Sequence, residues 1–139
     1  MVRLTAGVLA LAALLVWLSG NAGAQGDKGS ELKETMKKIG DGSSGLMIKL
    51  GRELRDEEPA WSDARKMSGE IARAARGVGK FTPPQGDKAS FEKFAKGFVE
   101  EATALDQAIG KRDRATALAA WKKMEAETCM NCHKVHRKE

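Results

Sequence analysis

Apolar positions recur along this chain in alternating steps of three and four, the period of an α-helix. Nowhere do they alternate one by one over a stretch long enough to make a strand. Four helical segments can be read. The first carries Leu32, Met36, Ile39, Ser43, Leu46, Leu50 and Leu54 on one face. Its phase survives the run from Gly40 to Gly45, so the pattern predicts one bent helix, although each interior glycine costs about 1 kcal/mol relative to alanine. Pro59 suits the first turn of a second helix, with Trp61, Ala64, Met67, Ile71, Ala74 and Val78 inward and Gly77 and Gly79 marking its end. Paired prolines keep Lys80 to Gly86 (KFTPPQG) out of any helix. Asp87 or Ser90 then caps a third helix bearing Phe91, Phe94, Phe98, Ala102, Leu105 and Ile109 and ending at Gly110. The three phenylalanines, at helical spacing, read as core. Asp113 caps a fourth helix that buries Leu118, Trp121, Met124, Thr128 and Cys132. The expected class is all-α, an antiparallel up-down-up-down four-helix bundle with its chemistry near the C-terminal end of the last helix.

One apolar run stands outside this scheme. Val8 to Leu18 (VLALAALLVWL) follows Arg3 and precedes Ala22-Gly23-Ala24, a small-residue cleavage pattern before Gln25. The run is short of the roughly 20 residues a membrane-spanning helix wants. Residues 1–24 are therefore expected to be a signal peptide, and residues 25–139 the folded domain, exported to the periplasm and free of the membrane after cleavage.

Charge adds little beyond solubility. The formal balance is +5 over 139 residues, and losing Arg3 with the leader would make it +4. Lysines and arginines are interspersed with acids, as on solvated helix faces, and no basic block interleaves with aromatics. A nucleic-acid partner is not expected. No Ser-His-Asp set, Walker loop or supported carboxylate pair is present, so no enzymatic chemistry is expected either.

The two cysteines change the picture. Cys129-Met130-Asn131-Cys132-His133 has the Cys-x-x-Cys-His spacing of c-type haem attachment. On a helix, positions i, i+3 and i+4 share one face. Two thiols there can add to the two vinyl groups of one haem, while His133 reaches the iron from the same side. A disulfide between residues so close would be strained. Zinc is the rival, because Cys129, Cys132, His133 and His136 count four donors, although one short helical stretch surrounds an ion poorly.

With the same motif running on as Cys129-Met130-Asn131-Cys132-His133-Lys134-Val135-His136-Arg137, and with Met36-Lys37-Lys38-Ile39-Gly40 in the first helix, the chain resembles the class II cytochromes c, the cytochrome c prime and cytochrome c556 group. The likeness in architecture covers the whole of residues 25–139, and its specific motifs only those two stretches. It implies one covalent haem c with His133 as axial ligand. It also puts Met36 at the position of the sixth iron ligand in low-spin members. Such members usually carry an arginine four residues earlier, where this chain has Leu32. Arg137 matches a basic residue that contacts a haem propionate, and His136 stands where an aromatic residue packs on the ring edge.

Height along the bundle agrees with Met36. The start of the first helix lies level with the end of the fourth, whereas Met47 would sit about 16 Å further down at 1.5 Å per residue. Gly40, one turn after Met36, would leave room for the macrocycle. The expected function is periplasmic electron transfer to transient redox partner proteins, with a homodimer expected by likeness to the group. The alternative is a five-coordinate gas-binding haem protein in which Met36 is only core. Trp61 and Trp121 could flank the ring or merely pack the helices.

Overall fold

A computed structural model describes residues 28–138, and among these every regular element is helical. The expected leader, residues 1–24, lies outside them. The elements are α1 (Lys28–Gly40), α2 (Leu46–Arg55), α3 (Trp61–Val78), α4 (Lys88–Gly110), α5 (Arg114–Lys123), a π turn (Met124–Cys129) and α6 (Met130–His136). The last three follow one another without a break, making a single rod. No helix among the described residues is long and apolar enough to cross a membrane.

The single bent helix expected at the start is in fact two helices. At Gly40 the chain leaves α1, and the Asp41 carbonyl accepts hydrogen bonds from Ser44 N at 3.0 Å and Gly45 N at 2.8 Å. Gly42 takes a positive φ of 43°, and a Cβ on Gly45 would lie 2.6 Å from the Asp41 nitrogen. Local turn chemistry thus overrides a helical phase that the intervening glycines support weakly. Ser43 is accordingly exposed in the turn and takes no part in the face assigned to it.

The other helix ends follow the sequence more closely. Pro59 lies two residues ahead of α3, buried, and Ala60 is the first-turn cap, its N–H donating to the Glu53 carboxylate. Asp87, not Ser90, caps α4 by accepting from Ser90 N at 2.7 Å. Asp113 caps α5, accepting from Thr116 N at 3.0 Å and from its hydroxyl at 2.7 Å.

Packing joins α3 with α4, α4 with α5, and α2 with both α3 and α5, while α1 rests on α2 and α3 alone. Leu50, Leu54, Ile71, Leu105, Ile109 and Met124 are the large side chains fully buried in the common core. Ser68, a buried polar group, is satisfied by donating to Asp106 Oδ1 at 2.6 Å, and Arg65 pairs with the same carboxylate at 3.0 Å.

The joint between α2 and α5 is specific. The Trp121 indole N–H donates to the Met47 carbonyl at 2.8 Å, a buried hydrogen bond. Arg114 closes the end of α2 by donating from Nε to the Leu54 carbonyl and from Nη2 to the Arg55 carbonyl, both at 3.0 Å. The Arg55 guanidinium lies 4.7 Å over the Trp121 ring. Gly51 allows this approach, since a Cβ there would overlap the indole.

Gly51→Ala tests the joint, because two effects oppose each other. Alanine gains about 1 kcal/mol of helix propensity. Overpacking costs about 1–3 kcal/mol, and a displaced indole leaves its buried N–H without an acceptor for about 1–3 kcal/mol more. A net loss of roughly 1–3 kcal/mol is expected in urea unfolding; a stabilised variant would show that the indole does not need Gly51.

Candidate functional site

The π turn decides what the last helix presents. Ala117, Trp121 and Met124 are buried at ordinary helical spacing. Continued as an α-helix, that face would next take Thr128, then Asn131 and Cys132 to either side, and Val135 at its centre; Asn131 and Val135 are instead exposed, Val135 at 42%. At Met130 the N–H reaches back five residues to the Glu125 carbonyl, the hydrogen bond of a π turn, which admits one extra residue. That residue moves the inward face onto Cys129, Cys132, His133 and His136.

Of these, Cys129, Cys132 and His133 border a cavity of about 240 Å³. One wall is Cys129, Cys132 and His133, together with Glu125, Thr128, Met130 and Arg137. The other is Met36, Ile39 and Gly40 from α1 with Met47 and Ile48 from α2, and Val78, Phe94, Ala95 and Phe98 close the side. The lining is mostly apolar. Although α1 and α6 both border it, no Cα of α1 or α2 comes within 8 Å of one in the π turn or α6. Directly packed helices have axes only about 8–10 Å apart, which brings their Cα atoms much closer than that. The walls are therefore separated by a gap rather than packed together.

Every expected site residue thus borders one space: Cys129, Cys132, His133, Met36 and Arg137. Met47 does too, contrary to the expectation that it lies a further 16 Å down the bundle. That distance assumed a continuous first helix, and the turn at 41–45 folds α2 so that Met47 shares the wall with Met36. Neither Trp61 nor Trp121 borders the cavity.

Burial disfavours charge on the two thiols and on the His133 imidazole. The cysteines are free thiols. Burial, helped by Cys132, Glu101 and Glu125 nearby, pushes the Cys129 thiol up to about 11. Burial also raises Cys132. It lowers the His133 imidazole from its usual range, and the positive charge of Arg137 adds to this. Neutral His133 keeps a ring nitrogen lone pair available to a metal.

His136 takes a different part from the one expected. It is 2% exposed and does not border the cavity. Its Nδ1 lies 2.8 Å from the Gln85 carbonyl, so Nδ1 carries the proton, and Nε2 accepts from the Ser90 hydroxyl at 3.1 Å. Phe91 and Phe94 meet the ring edge-on at 5.3 and 5.8 Å. Gly86, at a φ of +77°, passes so close that a Cβ would sit 2.8 Å from Nδ1. Gln85 Nε2 also donates to the Arg137 carbonyl at 2.9 Å. His136 is therefore a clasp between the last helix and the loop before α4.

This removes the zinc reading's fourth donor, since both ring nitrogens of His136 are engaged elsewhere. Among the described residues no three His, Cys, Asp or Glu side chains converge where an ion could sit. The donor set that does converge suits a flat apolar group with its own metal: two thiols and an imidazole on one wall, two thioether sulfurs on the other, and open space where a Cβ on Gly40 would be. No family model, curated protein or solved structure matches the chain.

The thiols offer a direct check on the wall. At pH 8, iodoacetamide should alkylate Cys129 in the bare chain about two orders of magnitude more slowly than an unfolded cysteine peptide, since only the thiolate reacts. The rate should keep climbing as pH approaches 11, where the peptide has already levelled off. Peptide-like kinetics at Cys129 would mean that the wall is open to solvent.

Proposed function

We propose that the chain is an exported haem protein of the c type, holding one haem covalently in the cavity between the α1–α2 wall and the last helix. Within that class its role is electron transfer, as a class II cytochrome c of the cytochrome c556 kind. The observation that carries this reading is the convergence of Cys129, Cys132 and His133 on an apolar gap whose facing wall offers the Met36 sulfur.

Bound there, haem would supply an iron that cycles between ferrous and ferric states. Cys129 and Cys132 would hold it, each thiol adding sulfur to one vinyl carbon and its hydrogen to the next, with no electrons left over. His133, kept neutral by burial, would present its lone pair to the metal on the side of the two sulfurs. Met36 would present its thioether on the other, a ligand that raises haem potential. Arg137 borders the same space with a charge that suits a propionate. Ile39, Ile48, Phe94 and Phe98 would keep water from the iron, so little solvent would need to rearrange when its charge changes.

The finer architecture belongs to this reading. With α1 and α2 taken as one broken arm, the proposed arrangement is an antiparallel up-down-up-down bundle of four. Export to the periplasm, removal of residues 1–24, brief docking with redox proteins and pairing into a homodimer go with it. A second reading has support in the wall itself, where Ile39, Met47 and Ile48 crowd the face opposite His133. In that reading the iron is five-coordinate and binds a gas.

Production in a host that matures c-type cytochromes tests both. The mass should exceed the polypeptide's by one porphyrin; a bare polypeptide mass would overturn the proposal. The reduced protein should give sharp, split visible bands unmoved by carbon monoxide. Met36→Ala should turn these into a broad high-spin spectrum that shifts with the gas. If the parent protein already responds in that way, the gas-binding reading takes its place.

A further inference from the structure

One carboxylate on α4 touches the last helix at both ends of its π turn. Lys123 and Thr128 are five residues apart, and in an unbroken α-helix they would point about 140° away from each other. A π turn, closed by a five-residue hydrogen bond, brings such a pair onto one side of the rod. Here both reach Glu101: the Thr128 hydroxyl donates to Oε2, and Lys123 Nζ lies 3.4 Å from Oε1. The Glu101 side chain is only 18% exposed, so losing both partners would leave a largely dry charge poorly satisfied. Downstream, the His136 clasp fixes the far end of the rod to Gln85 and Ser90.

Between these anchors the extra residue has a directional effect. Each residue of an α-helix turns the chain by about 100°. Were the π turn to relax to α geometry, everything after it would swing by about that angle. Asn131 and Val135, now exposed, would rotate toward the cavity, and the Cys-x-x-Cys-His face would leave it.

We propose that Glu101 is a positioning residue: through Lys123 and Thr128 it holds the π turn that aims Cys129, Cys132 and His133 into the cavity. The role rests on reading that cavity as the haem site, but the geometry it controls exists in the bare chain. Ala126 is exposed within the turn, and deleting it removes the extra residue. Met124 and Cys129 then stand four apart, on one face of a plain α-helix, with no clamp required.

The test combines the two changes in the full chain without haem. Lys123→Met/Thr128→Val unloads Glu101 yet keeps its negative charge beside Cys129, so electrostatics alone would not speed that thiol. Iodoacetamide alkylation of Cys129 and Cys132, read by mass spectrometry, should rise at least about tenfold in this variant. Deleting Ala126 from the same variant should return both rates to those of the parent. Unchanged rates in the double variant, or failure of the deletion to restore them, would overturn the role. If the double variant loses its cooperative melt, recovery of that melt on deletion supports the role and continued unfolding counts against it. In matured protein the sharp reduced bands should weaken in the double variant and return with the deletion. A parent chain that takes up no haem would sink the proposed function while leaving the alkylation result to be judged alone.

Discussion

Two walls that border one largely apolar cavity, with no Cα of one within 8 Å of a Cα of the other, are the constraint around which this structure is arranged. Apolar side chains separated in this way forgo the contacts that a packed interface would give them. A small helical protein has no reason to hold such a gap unless something flat fills it or the surrounding joints keep it open. The joints can be traced to particular residues. The α2–α5 joint, through Trp121, Gly51 and Arg114, fixes where the first wall begins. The clasp of His136 on Gln85 and Ser90 fixes where the second ends.

Within that frame, chemistry and packing are divided between the two histidines of one short helix. His133 borders the cavity as a neutral donor, whereas His136 has both nitrogens committed to the protein and its ring set among phenylalanines. Their spacing of three residues would suggest a shared role. The environment separates them, because Phe94 stands between the clasp and the cavity and touches both.

Much of this was legible in the sequence. The inward faces of α3 and α4, the caps at Asp87 and Asp113, and the grouping of Cys129, Cys132 and His133 follow from spacing and side-chain chemistry; Met36 came from its height along the bundle together with the resemblance, and Arg137 from the resemblance alone. Two features did not. The first helix keeps its apolar phase across Gly40 to Gly45, so periodicity alone could not reveal that a five-residue turn interrupts it. The glycines were the available signal, and weighing them more heavily would have brought Met47 into the site. The π turn left no comparable trace. Met124, Thr128 and Cys132 sustain an α-helical pattern straight through it, and only tertiary bonds to Glu101 and His136 select the other register. His136 escaped for a related reason: its partners lie 46 and 51 residues away in the chain.

The sequence distances spanned by the joints carry a consequence for assembly. Helices α3 and α4 are neighbours along the chain and pair across the nine residues 79–87, so modest loop entropy opposes their association. The bond from Trp121 to Met47 closes a separation of 74 residues, and that from His136 to Gln85 one of 51. Contacts so remote are made late in folding, after the local pairs have reduced the search. The compartment between the walls is then the last part of the core to be enclosed. A bulky planar guest arriving during folding would meet an open cleft, and would be sealed in by the same final step that completes the protein.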